Sequence, residues 1–187
     1  RWHQASAWKL PDVVERRLAE LADAADPAGR GLRWPWRQNT RLHGTTATYM
    51  PGWCNGSAGL VHVWLTAHAT FGRPRYLALA DAAAWDTWEG ASAPLPDLCC
   101  GLAGRSYALL ALHRTTGDAE WLHRARTLGE QAARMFDRHS SATPSLFKGL
   151  AGITLLQEDL REPGSARMPL FEAEGWPAAS VAPRRKD

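Results

Sequence analysis

The chain has 187 residues, of which 45% are hydrophobic and 22% are charged, a composition typical of one soluble globular domain rather than a disordered protein. It contains no apolar run of about 18 residues and no signal-like opening segment, so we expect a cytoplasmic location and no membrane contact. A net charge of only +3 with scattered basic residues argues against nucleic acid as a partner. Three cysteines are too few, and odd in number, for a secreted disulfide scaffold, which favours reduced thiols.

The predicted elements begin with a helix in "DVVERRLAELADAADPAG", whose pattern is that of the second helix of a pair. An irregular segment follows, which includes Trp34 and Trp36 in "GLRWPWRQ". The next helix, Ser57 to Thr70, is apolar on most sides and is therefore expected to be buried among other helices. After a turn at Gly72, a helix with Pro74 in its first turn has one apolar and one polar face. It is predicted to lie outside the buried helix.

This helix pair repeats along the chain. The segment "CNGSAGLVHVWLTAHATFGRPRYLALADAAA" aligns without a gap on "CCGLAGRSYALLALHRTTGDAEWLHRARTLG", 45 residues further on, so that Cys54 falls on Cys99. A third copy begins at "FKGLAGITLL", where Phe147 and Lys148 replace the cysteine pair. Repeats of this length with two helices each predict stacked helix pairs. The fold class is therefore all-α, with inner and outer helices that form an α/α toroid if the stack curves and closes.

All three cysteines directly precede the first turn of an inner helix. Stacking of neighbouring units is expected to bring Cys54 beside Cys99 and Cys100 at one end of the bundle. Helix N-termini lower the pKa of nearby thiols, and three thiolates with no fourth ligand at close spacing suit Zn²⁺ with an open coordination position. Two alternatives remain at this point: small buried residues at a crowded helix start, or a redox-active vicinal pair.

The stretches "GWCNGSAG", "LCCGLAGRSYALL" and "FKGLAGITLL", in this order and spacing, resemble the C-terminal half of the lanthionine synthetase C-like (LanC) family over roughly residues 50 to 172. The resemblance implies an α/α toroid of which this chain holds the C-terminal repeats. Residues 1–172 would then be the C-terminal part of a LanC-like cyclase domain, and residues 173–187 a disordered tail.

The resemblance also implies a zinc-dependent peptide cyclase, which adds a cysteine thiol to dehydroalanine or dehydrobutyrine and so closes a (methyl)lanthionine ring. Cys54, Cys99 and Cys100 would be the zinc ligands, with Cys100 in place of a histidine. The implied partners are a precursor peptide, the missing N-terminal repeats, and kinase or lyase domains of a longer synthetase. Alternatives are a zinc-binding LanC-like module that binds or regulates peptides without cyclase activity, and an unrelated toroid hydrolase, for which Asp97 is the one suitably placed carboxylate.

Thiol addition leaves an enolate that an acid must protonate. Position 55, often Tyr or His in the family, is Asn55 here, and an amide does not supply a proton near neutral pH. His43 and Tyr49, in the loop before the first cysteine, are therefore the predicted acid candidates. Asn55, Trp34 and Trp36 are predicted to contact the substrate peptide, with the two indoles walling a groove.

Overall fold

The computed structural model describes residues 10–37, 47–90, 95–137 and 143–172. Within these ranges the chain is mostly helical, which confirms the predicted all-α class apart from one short hairpin. The helices are α1 (Asp12–Asp23), α2 (Ser57–Phe71), α3 (Pro74–Glu89), α4 (Leu102–Thr116), α5 (Ala119–Asp137) and α6 (Leu150–Asp159), and the strands are β1 (Asp26–Ala28) and β2 (Gly31–Arg33). The tail 173–187 and His43 lie outside the described residues.

The helices form pairs, as the repeat predicts. Helix α2 packs against α3, and α4 packs against α5, while the first helices of successive units also contact each other. Helix α4 lies in the middle of this arrangement, and every residue from Leu102 to Leu112 is buried. A helix with no exposed face over three turns must be surrounded by other elements. Helices α2, α4 and α6 are therefore the inner layer, and α3 and α5 the outer layer.

The hairpin corrects the predicted first helix. The helical pattern was expected to run through "DPAG", but α1 ends at Asp23 and β1 pairs antiparallel with β2, with Asp26 opposite Arg33. Gly31 packs so closely on α3 that a Cβ there would lie 2.1 Å from the carbonyl oxygen of Ala82. Pro27 lacks the N–H that a helix needs at this position, and contact with α3 holds the strands in place.

The turns between paired helices use the same two residues in both units. Gly72 and Gly117 have φ values of +65° and +74°, in the left-handed region that favours glycine at helix ends. His68 and His113 place Nδ1 3.1 and 2.8 Å from the carbonyl oxygen of the residue five positions further on. Each ring therefore donates to the turn that follows its helix and caps it.

We expect Gly117→Ala to lower the free energy of unfolding by about 1–2 kcal/mol, the cost of a left-handed conformation for an L-residue. No heavy atom lies within 4 Å of the added methyl group, so backbone strain is the whole effect. Chemical denaturation measures it. Gly164→Ala is the control, because Gly164 has open space around it and no left-handed φ. Equal stability of the two variants would contradict the prediction.

Each inner helix begins with the same loop geometry. The first helical N–H donates to a carbonyl seven residues earlier in all three units; these bonds are Ser57 to Met50, Leu102 to Leu95, and Leu150 to Thr143, at 3.1, 2.7 and 3.0 Å. The residue before each helix is glycine, and a Cβ there would come within 1.7 to 2.3 Å of the same carbonyl oxygens. Only glycine permits this close approach. The two residues before each glycine are therefore held in equivalent positions in every unit.

Candidate metal centre

The structure brings the three cysteine sulfurs together. Cys54 Sγ lies 3.4 Å from Cys100 Sγ, which in turn lies 3.7 Å from Cys99 Sγ, and all three atoms lie within 4.8 Å of one another. These distances exceed the length of a disulfide bond, about 2.05 Å. A tetrahedral zinc ion with Zn–S bonds of about 2.3 Å separates its sulfur ligands by about 3.8 Å. The two measured separations lie within a few tenths of an ångström of this value, and the cluster therefore fits a shared zinc ion.

A backbone ladder holds the cysteines in register. The N–H of Cys54 donates to the carbonyl oxygen of Cys99, and the N–H of Cys99 donates to that of Phe147, both at 3.0 Å. These residues occupy the same position in three successive units, so one contact recurs across the starts of α2, α4 and α6. Stacking thus produces the predicted convergence of the thiols. Their role as ligands stays a prediction.

Glycines inside the first helical turns allow this close stacking. A Cβ at Gly104 would lie 2.0 Å from the carbonyl oxygen of Leu98 and 3.1 Å from Trp53 Cβ. At Gly152 it would lie 2.6 Å from Leu98 Cδ1. Trp53 and Leu98, which directly precede Cys54 and Cys99, therefore pack against a glycine of the next unit, and the positions of these two cysteines depend on those glycines.

Two side chains donate hydrogen bonds to the cluster. Asn55 Nδ2 lies 3.2 Å from Cys54 Sγ, and Lys148 Nζ lies 3.0 Å from Cys100 Sγ. Asn55, Cys100 and Lys148 each directly precede the glycine before an inner helix. Sequence reasoning missed Lys148 as a site residue, although the alignment of "FKGLAG" with "CCGLAG" places it one unit beyond Cys100.

The thiols differ in acidity. Partial desolvation of the thiol, together with the two neighbouring cysteines, raises the pKa of Cys54 to about 12, although the residue as a whole is exposed. Burial also acts to raise the pKa of Cys100, but hydrogen bonds from Lys148 and the other two thiols outweigh it, so that pKa lies below its ordinary value. The bond to Cys100 in turn raises the pKa of the Lys148 ammonium. Thiolate charge is therefore favoured at Cys100, and ionisation of the whole cluster needs a cation, which a divalent metal supplies.

An apolar cavity of about 500 Å³ opens beside Cys54. Its lining includes Trp34, Trp36, Asn55 and Phe171, and the lining residues that the structure describes are all uncharged. Trp34 is buried and its Nε1 donates to the carbonyl oxygen of Leu21, whereas Trp36 is half exposed. The structure thus places all three predicted substrate-contact residues on the cavity that contains Cys54. That they contact a substrate stays a prediction.

Tyr49 is held by the hairpin. Its hydroxyl donates to Asp26 Oδ2 at 2.7 Å, and the guanidinium of Arg33 lies 3.9 Å from the centre of its ring. Tyr49 is not among the residues that line the cavity. Its role as an acid stays a prediction, as does that of His43, which lies outside the described residues. The buried ring of His62 packs edge-on against Phe171.

None of the helices in the described ranges is both long enough and apolar enough to cross a membrane.

Comparison with known proteins agrees with the repeat and with the cluster. The family model described as lanthionine synthetase C-like protein matches residues 12–173. "Glutathione S-transferase LANCL1" of Danio rerio is 32% identical over 146 residues, which are 75% of this chain and 36% of that protein. "LanC-like protein GCL1" of Arabidopsis thaliana is 30% identical over 128 residues, 64% of this chain and 30% of that protein.

This chain thus spans about a third of the length of these two relatives. The family match includes all three cysteines and the helices of every unit. The chain therefore belongs to the lanthionine synthetase C-like family and not to an unrelated class of toroid hydrolases.

Proposed function

We propose that this chain carries the zinc centre of a lanthionine-forming cyclase. In this reaction a cysteine thiol of a precursor peptide adds to a dehydroalanine or dehydrobutyrine of the same peptide. The observation that supports the proposal is the group of three cysteine sulfurs, within 4.8 Å of one another, at the edge of an apolar cavity. Further repeats, together with kinase or lyase domains that generate the dehydrated residues, are part of the same proposal.

Cys54, Cys99 and Cys100 would hold the zinc ion and leave one coordination position for the substrate. The chemistry that zinc supplies when bound is a lowered pKa of the incoming thiol and a fixed position for its sulfur. Cys54 is exposed and belongs to the cavity lining, so the incoming thiol has access from that side. The Asn55 amide lies at the same edge and can orient the peptide backbone by hydrogen bonding.

The bond changes balance without a co-reactant. The peptide thiol releases its proton, sulfur forms a bond to the β-carbon of the dehydro residue, the carbon–carbon double bond is lost, and the α-carbon receives a proton. One proton is thus released and one is taken up. His43 and Tyr49 are the proposed donors of that proton. The indoles of Trp34 and Trp36 would exclude water from the reacting atoms and pack against apolar side chains that flank the thiol.

Glutathione transfer is the second candidate, because the LANCL1 relative is named a glutathione S-transferase. Both reactions add a thiolate to an electrophilic carbon. The apolar lining favours the peptide reaction, because glutathione carries two carboxylates and an ammonium while the described residues that line the cavity are uncharged. A third possibility is a zinc-binding peptide module without cyclase activity.

An alkylation assay distinguishes these functions. Ring closure leaves the peptide mass unchanged but consumes its thiol, so iodoacetamide labelling of a peptide with one cysteine and one dehydroalanine should decline with time. We expect this loss with zinc-loaded protein and not after chelation or with Cys99→Ala. A second peptide without cysteine, mixed with glutathione, reports transfer as a mass increase. If the protein bound the peptide but catalysed neither ring closure nor glutathione transfer, the result would indicate a peptide-binding module and would overturn the cyclase proposal.

The substitution Cys100→His tests the importance of the third thiolate. Three thiolates leave a divalent centre with one net negative charge, whereas a neutral imidazole removes that charge. We expect the variant to retain zinc and to close rings about tenfold more slowly, because a less electron-rich centre makes the bound sulfur a weaker nucleophile. Zinc content and the initial rate of thiol loss are the two measurements. An unchanged rate with full zinc content would contradict the expectation.

A further inference from the structure

Lys148 is a cationic side chain in direct contact with the cysteine cluster. We propose that Lys148 is a positioning residue that selects an anionic thiolate, rather than a neutral ligand, for the open position of the metal centre. The role rests on the proposed function, because it presupposes zinc at the three cysteines.

The backbone directs Lys148 at the cluster. It directly precedes Gly149, in the loop geometry that places Asn55 and Cys100 in their own units. The N–H of Lys148 donates to Ser145 Oγ at 3.1 Å, which fixes the local backbone. The ammonium then reaches Cys100 Sγ at 3.0 Å. The residue itself is exposed, so neither packing nor burial accounts for this contact.

The contact falls on one of the three cysteines that would carry the negative charge of the centre. Cys100 would be a thiolate ligand, and Lys148 places a positive charge beside its sulfur. Binding a fourth thiolate would give three thiolates and zinc two net negative charges, and the ammonium offsets one of them. The negative charges of thiolates bound to one metal ion repel one another, and this repulsion is stronger where water is partly excluded.

One carboxylate also belongs to this loop. Asp97 is buried, and its Oδ1 accepts the N–H of Cys100 at 2.8 Å. Its negative charge adds to that of the thiolates, which makes an anionic fourth ligand harder to accept. Among the described residues, Lys148 is the cation that donates a hydrogen bond to a cluster sulfur. The balance between thiolate and neutral ligands should therefore depend on this side chain.

Cobalt substitution tests the proposal without measuring activity. Co²⁺-loaded protein is titrated with 2-mercaptoethanol, an anionic ligand when bound, and separately with imidazole, a neutral one, while the visible absorption is recorded. We expect Lys148→Gln to bind one Co²⁺ per chain like the native protein and to bind the thiol about tenfold more weakly, because the positive charge that offsets the added thiolate is lost. Imidazole affinity should not change. Lys148→Arg, which keeps the charge, should restore thiol binding.

The matched control is Arg161→Gln, which removes one positive charge beyond the far end of the ten-residue helix α6, about 15 Å from its start. It should leave both affinities unchanged. Three results for Lys148→Gln would overturn the proposed role of Lys148 but not the proposed function. These are an unchanged thiol affinity, an equal loss of affinity for thiol and imidazole, or a failure to bind Co²⁺. Failure of the native protein to bind Co²⁺ would instead overturn the proposed function, and this inference with it.

Discussion

Replacement of any one of the three cysteines by alanine is expected to abolish stoichiometric zinc binding while the helices stay intact. Two thiolates do not make a stable site for zinc, and loss of residues that merely support metal ligands already costs 10- to 100-fold in affinity. We therefore expect a loss of more than about 100-fold for Cys54→Ala, Cys99→Ala and Cys100→Ala. Elemental analysis gives zinc content, and competition with a chelator gives affinity.

Asn55→Ala is the control for these variants. Asn55 adjoins the cluster and donates to Cys54 Sγ, but it is exposed and is not a predicted ligand. Its loss should weaken zinc binding less than the loss of any cysteine. Circular dichroism should show the same helical content in all variants, because the cysteines are exposed or half-buried rather than core residues. Native protein without zinc, or alanine variants with full zinc content, would mean that the cysteines serve only as small residues at crowded helix starts.

The second large effect is expected from Gly104→Ala. The new methyl carbon would lie 2.0 Å from the carbonyl oxygen of Leu98, a backbone atom, and 3.1 Å from Trp53 Cβ. A clash with backbone is relieved only if the loop moves, so we expect the free energy of unfolding to fall by about 3 kcal/mol. Leu98 directly precedes Cys99, so the same movement should weaken zinc binding.

Chemical denaturation of three glycine variants provides a graded test. Gly104→Ala combines a steric clash with a helical backbone, Gly117→Ala has backbone strain without a clash, and Gly164→Ala has neither. The expected order of destabilisation follows this sequence. If Gly104→Ala cost no more than Gly117→Ala, the close stacking of the units would not be a major source of stability. Zinc affinity should fall only for the first variant.

The repeated helix pairs could be predicted from the sequence because the glycines before the inner helices recur at equivalent positions and mark where each helix begins. Inner helix α2 begins at the predicted residue, Ser57, since an N-cap glycine fixes its start, and α4 begins at the equivalent residue of the next unit, Leu102. Helix α2 ends one residue later than expected, at Phe71, directly before a left-handed glycine. The meeting of Cys54 with Cys99 and Cys100 follows from the same register, because equivalent residues of stacked units are neighbours.

The hairpin and the side-chain contacts of the site depend on residues that are far apart in the sequence, and no local sequence pattern indicates such contacts. Strands of three residues are too short for a recognisable alternation, and β2 is held by the approach of Gly31 to α3. The hydrogen bond from Tyr49 to Asp26 joins residues that are far apart in the chain. Lys148 stands on a different unit from the sulfur that it contacts, and a lysine in a loop has no periodicity that would predict its direction.

The main-chain hydrogen bonds between the units allow different side chains at the positions of the site. Each unit presents two adjacent side chains on a common rim, and the main-chain bonds that place them do not depend on which side chains they are. The residue at one of these positions can therefore be replaced while the backbone at the other positions stays the same. The three units present different pairs of side chains at these positions. The pairs are Cys54 and Asn55 (a thiol and an amide), Cys99 and Cys100 (two thiols), and Phe147 and Lys148 (a phenyl ring and an ammonium). A symmetric scaffold thus generates a polarised site.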